Sequence, residues 1–168
     1  MRCYVPARRS MLADLVHGRP VPAGSTAYAV TPALLTATGA GANPDDEEAE
    51  YAALMLAAEA SVLLLDVGDP GDRRRIVLAV DAEVDGDHPN PERPPGEVRL
   101  REAVQRAQVA AVHVDTGEAG QAHKGVILVD AAVTALESAN SNRLEQALEA
   151  LADIDLGWYA PAELDYLL

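Results

Sequence analysis

The chain has 168 residues and a mass of 17.7 kDa, the length of one compact domain able to bury roughly 70% of its unfolded surface. Thirteen basic residues face 27 acidic ones, for a formal net charge of −14; this is the wrong sign for a nucleic-acid binder, which gains affinity by neutralising phosphates. An apolar fraction of 49% excludes wholesale disorder, no run approaches the ~18 apolar residues of a membrane span, and MRCYVPARRSML lacks the apolar core of a secretory signal. The chain therefore reads as a soluble cytoplasmic domain with no membrane segment, and its single cysteine, Cys3, allows neither an internal disulfide nor a cysteine-built zinc site.

Arg2 to Pro6 alternate and predict a first strand, after which Ser10 caps a short helix with Met11, Leu12, Leu15 and Val16 on one face, stopped by Gly18. Thr26 to Val30 predict a second strand. Thr31 then caps a short helix with Pro32 in its first turn, which ends at Gly39. The longest helix is expected from Asp46 to Leu65, with Tyr51, Leu54, Met55, Ala58, Val62 and Leu65 as its core stripe. Asp69-Pro70-Gly71-Asp72 marks a turn before Arg75 to Val80, a continuous apolar run that predicts a central strand buried on both faces. Asp85 to Gly96 reads as a loop, Val98 to Leu100 as a short strand, Glu102 to Ala107 as a short helix and Val109 to Val114 as a strand. Two helices, 119–138 and 142–152, a closing strand from Leu156 to Ala160 and a last helical turn from Pro161 complete the order. The pattern fits an α/β or α+β fold over 1–168, a single domain with a mixed sheet packed by helices.

Charge is distributed in blocks. Residues 1–44 carry +3, 45–72 carry −9, 73–106 balance, and 107–168 carry −8. The acids that open the long helix favour the positive end of its dipole, or form a surface that docks a basic protein partner.

Three strand exits resemble one another: Tyr4-Val5-Pro6, Tyr28 followed by Thr31-Pro32, and Tyr159-Ala160-Pro161. Proline at a strand exit stops the ladder and pre-sets a helix. The alternative is a shared ligand rim of Tyr4, Arg8, Tyr28, Thr31, Tyr159 and Glu163, in which Arg8 holds an anion and a tyrosine hydroxyl donates a hydrogen bond or a proton. All six aromatic residues are Tyr or Trp, each with a polar tip that suits a cleft or interface.

The most literal motif is Asp81, Glu83, Asp85 and Asp87 with Gly86 and, at position 12, Glu92, the spacing of an EF-hand calcium loop. Its context is a strand on one side and four prolines on the other, so a solvated acidic loop competes with an irregular divalent-cation site. Gly39-Ala40-Gly41 follows a helix instead of a strand and does not make a dinucleotide fingerprint. With no Walker A sequence and no nucleophile elbow, no cofactor is expected and catalytic residues are not assigned. His113 beside Asp115 could serve as a general base or be a half-buried structural histidine. Arg73, Arg74 and Arg75 could join Arg8 and Arg9 in an anion site or balance the acids upstream.

MRCYVPARRSML, AYAVTPALL, EYAALMLAAEASVLLL, AAVHVDTGEA and LGWYAPAELDYLL together resemble a family of uncharacterised actinobacterial proteins that begin MRVYVPA, carry AFAVTPAL and EYAAL segments and a VHVDD-like strand, and end in WYA followed by Leu-Leu. The likeness runs from end to end and departs at Arg8, where the family often has Thr, and across 118–145. It implies a single cytoplasmic domain and no assigned activity.

Overall fold

A computed structural model describes residues 1–39, 47–65, 73–86, 93–115 and 121–168. Seven strands form one sheet: β1 (Arg2–Ala7), β2 (Thr26–Tyr28), β3 (Ile76–Asp81), β4 (Val84–Asp85), β5 (Glu97–Leu100), β6 (Val109–Val114) and β7 (Gly157–Tyr159), in the order β4-β5-β2-β1-β3-β6-β7. The helices are α1 (Arg9–Val16), α2 (Pro32–Thr38), α3 (Glu47–Val62), α4 (Gln121–Glu137) and α5 (Ser141–Ala152), with 3-10 turns at Arg106–Gln108 and Pro161–Tyr166. The fold is α+β.

The sheet is antiparallel at every described pairing, where a mixed sheet is expected from the element order. The connections explain it. Between β6 and β7 the chain makes a helical hairpin, α4 against α5, which leaves and returns at the same end of the sheet, so the next strand runs opposite to the last. β2 and β3 do run the same way, but β1 lies between them and opposes both.

Only residues 82 and 83 join β3 to β4, although β1, β2 and β5 lie between those strands in the ladder. Four strand spacings in a flat sheet amount to about 19 Å, whereas three Cα steps reach at most about 11 Å. The sheet must therefore curl until its β4 edge comes back toward the end of β3. Inside the curl sit Cys3, Val5, Leu12, Leu15, Ile76, Leu78, Val80, Val98, Leu100, Val112 and Leu164. Val104 pairs with Val21 across this face, so the segment expected as a helix over 102–107 is extended where it helps line the core.

The opposite face carries α3. Its buried residues are Ala49, Ala53, Ala57, Ala58, Ser61 and Val62, while Tyr51 is exposed and Leu54 and Met55 are half-buried. The expected stripe therefore holds at Ala58, Val62 and Leu65, which are buried, and fails at Tyr51, Leu54 and Met55, where the alanine side faces the sheet instead. Tyr4 and Tyr28 stand up from β1 and β2 on this face as a directly opposed pair. Two rings already fill the space, so small alanine side chains are what lets the helix seat on them. Farther along, Val62 and Leu65 pack against Val129, Ala132 and Val133 of α4 and Ala147 and Leu151 of α5.

Other local expectations stand. Thr31 Oγ1 accepts from the Leu34 amide at 3.2 Å, Pro32 opens α2, and Gly39 ends it in the left-handed region at φ +75°. β3 is buried between β1 and β6. The expected Ser10 cap is corrected: α1 begins two residues earlier than that cap implies, at Arg9, with Arg8 at the cap position and no side-chain cap, and Ser10 lies inside the helix. The turn at 69–72 and the loop from 40 to 44 lie outside the described residues.

Candidate functional site

On the α3 face, strand alternation places Tyr28, Tyr4, His113 and Trp158 in a row across β2, β1, β6 and β7. Ala79 and Ala111 are small enough for the Tyr4 and His113 rings to meet over them, edge to face, with centroids 6.4 Å apart. The carboxylate of Glu50, in the first turn of α3, acts on the Tyr4 phenol through its charge. Burial and that carboxylate push the Tyr4 phenol up to about 12. Burial also holds the His113 imidazole below its ordinary value, so the ring is kept neutral.

The row opens to solvent at β7. Trp158 is opposite His113 in register and 62% exposed. Three residues before it, Asp155 Oδ1 accepts the Tyr51 hydroxyl of α3 at 2.9 Å, tying the helix to the segment that enters β7. This segment is anchored from below. Arg75, 1% exposed, and Asp115, fully buried, form an ion pair with Nη2 to Oδ1 at 2.8 Å and Nε to Oδ2 at 3.1 Å. Asp115 Oδ2 also accepts the Arg75 amide at 2.9 Å. The guanidinium donates to the carbonyls of Leu151 and Ile154, each at 2.8 Å, and so caps the end of α5. Asp155 and Trp158 follow directly, which makes this clasp the positioning element of the open end.

The six residues of the expected ligand rim do not share one cleft. Tyr4 and Tyr28 lie together under α3. Tyr159, in register with Val112, points to the other face, because alternate residues of a strand take opposite sides. Thr31 is consumed in capping α2, and Glu163 Oε2 accepts the Ala160 amide at 2.8 Å within the 3-10 turn. Arg8 is exposed at the start of α1.

Of the calcium-loop residues, Asp81 bonds Arg2 Nε at 2.9 Å, while Glu83 and Asp85 share Arg101, at 3.5 and 2.7 Å. A guanidinium held among these carboxylates supplies the charge a cation would bring. Asp87 and Glu92 lie outside the described residues, among which no group of three or more His, Cys, Asp or Glu side chains is placed to hold a metal ion.

Of the two alternatives for His113, a general base beside Asp115 or a half-buried structural histidine, Asp115 is taken by the Arg75 clasp and His113 is half-buried. Arg75 is committed to Asp115 and Arg73 to Asp130 and Glu137 of α4, so the arginine run does not converge on an anion site with Arg8 and Arg9. Cys3 is buried, with its thiol pushed up to about 11, and behaves as a packing residue. A further cavity of about 400 Å³ lies between α2, α3 and α5, walled by Leu34, Met55, Leu56, Leu148 and Leu151. Among the described residues its ionisable linings are Glu59 and the committed Arg75.

Glu50, Tyr51, Asp155 and Trp158 were not singled out by any motif. The signal open to sequence reasoning was the restriction of the aromatic set to polar-tipped rings. No described helix is long and apolar enough to cross a membrane.

No curated protein and no solved structure matches the chain. Residues 1–168 match DUF6912, described as a family of unknown function, and the chain belongs to that family.

Proposed function

We propose that this protein is a non-enzymatic, cytoplasmic, single-domain binding module, and that its open end at β7 and the start of α3 docks a basic protein partner. The observation that carries the reading is the exposed Trp158, three residues after the Asp155 that accepts the Tyr51 hydroxyl. Aromatic faces next to carboxylates attract guanidinium and ammonium groups through both the ring quadrupole and the charge.

The distribution of arginine supports it. Arg2, Arg19, Arg73, Arg75, Arg99, Arg101 and Arg106 each pair with an acid of this same chain. Asp81, Glu83, Asp85 and Glu97 are thus paired internally, whereas among the described residues Glu47 and Glu50 of α3 and Asp153 and Asp155 after α5 form no salt bridge, and the Tyr51 hydroxyl links α3 to Asp155. Such a field steers a basic partner and repels phosphates, which disfavours nucleic acid.

Trp158 is the only tryptophan, so its fluorescence reports on the site directly. Titration with an oligo-arginine peptide is expected to change the emission, with affinity falling as salt rises. The double reversal Asp153→Lys/Asp155→Lys should weaken binding about tenfold or more, from rim charges worth about 1 kcal/mol each. Glu102→Lys, beside Met1 and Gln108 at another face, should not. Equal loss in the two variants, or no response to the peptide, would overturn the reading.

A further inference from the structure

The two ends of the ladder are guarded differently. At one end β4 is two residues long, and the ion pairs of Arg101 with Glu83 and Asp85 lie across it. Charges on an edge strand block the addition of another chain. At the other end β7 presents three uncharged residues, Gly157, Trp158 and Tyr159, and among the described residues it pairs only with β6. Half of the amides and carbonyls of an edge strand point away from its one neighbour, and those of β7 meet no described partner. The guards of this edge stand at its entrance instead, where Asp153 and Asp155 precede the strand.

We infer that the open edge of β7 takes an extended basic segment of the partner as an added strand. The inference rests on the proposed docking of a basic partner and names its mode. Main-chain hydrogen bonds to β7 supply affinity in strand addition, and alternate side chains supply choice. On the α3 face those side chains lie over the Trp158 ring and toward Asp155, the setting that an arginine fills. A second copy of this chain fits poorly, because pairing two β7 edges would bring together two molecules that each carry a net charge of −14.

The test uses the full chain, the alternating peptide RVRVRVR and the same peptide with every backbone amide methylated, which keeps the charge and loses the donors. Binding is followed by Trp158 fluorescence and its mode by amide hydrogen exchange at Gly157 to Tyr159. At a peptide concentration ten times Kd, the outward Trp158 amide of β7 should exchange about tenfold more slowly, and the methylated peptide should bind about fivefold more weakly, for the hydrogen bond lost to the Trp158 carbonyl. If both peptides bind alike and β7 exchange is unchanged, strand addition is overturned while the basic partner stands. If neither binds, both readings fall. Protection of β7 that rises with protein concentration in the absence of peptide would assign the edge to a second copy and overturn the inference.

Discussion

Replacing Asp115 by alanine should cost this protein a large part of its stability. The substitution leaves the Arg75 guanidinium buried beside α5 with no counter-charge, and it removes the acceptor of the Arg75 amide as well. Breaking a buried pair from one side typically costs about 3–5 kcal/mol, against a total stability of about 5–15 kcal/mol for a domain. For a chain of this length that corresponds to a fall in Tm on the order of 10 °C. Arg75→Met combined with Asp115→Leu removes the stranded charge, and although it deprives the Leu151 and Ile154 carbonyls of their donor, it should be less damaging than Asp115→Ala alone. Urea denaturation followed by far-UV circular dichroism gives both values, and Trp158 emission reports whether the end of α5 and β7 loosens with the clasp. An Asp115→Ala cost below about 1 kcal/mol, or a double variant as unstable as the sum of its parts, would refute the assignment of this pair as the anchor of the open end.

Further outcomes follow from the same geometry. Gly125→Ala would set a methyl group 2.8 Å from Asp115 Oδ1 and 3.3 Å from Ile154 Cγ2, so thermal melts should show destabilisation by about 1–3 kcal/mol. Ala57→Leu forces a branched side chain between α3 and the tyrosine pair beneath it and should cost a similar amount by the same assay. Tyrosinate absorbance should include a component with a midpoint near 12 that disappears in Tyr4→Phe; because this phenol ionises later in the folded chain than in the unfolded one, stability falls as pH rises from about 10 toward 12. His113 has the opposite sense, its folded value lying below the unfolded one of about 6.5. Its contribution is intact at neutral pH and lost as pH drops through 6.5 toward the folded value, so His113→Gln should flatten the stability profile there.

How much of this was legible along the chain differs by element. Thr31-Pro32 and Gly39 bound α2 through local chemistry, and the apolar run of β3 becomes a central strand because it is uncharged on both sides until Asp81. Helix α3 is apolar nearly all round, so its pattern carries no strong direction. Tyr4 and Tyr28, far away in sequence, select the alanine side for contact. The two residues of β4 are too few to show a period, and antiparallel pairing depends on where each connection returns.

For the site, the limits are also long-range. Asp115 looks like a partner for His113 two residues away, yet Arg75, forty residues upstream, takes it because β3 and β6 are neighbours. The likeness of the three tyrosine-bearing exits ends at register: Tyr4 and Tyr28 oppose each other, while Tyr159 falls on the other face. The end-to-end family resemblance was readable directly and is matched over residues 1–168. The acidic character of the α3 start was also visible, but the contact of its Tyr51 with Asp155 requires the fold.

Mapping the backbone amide NMR shifts of the whole chain during titration with oligo-arginine addresses the docking surface most directly. The largest changes should fall on residues 47–51 and 153–159, with the Trp158 indole among them, and should recede at high salt. Changes centred instead on the cavity between α2 and α5, or on the Arg101 edge at β4, would contradict a basic-partner surface at the open end of the aromatic row.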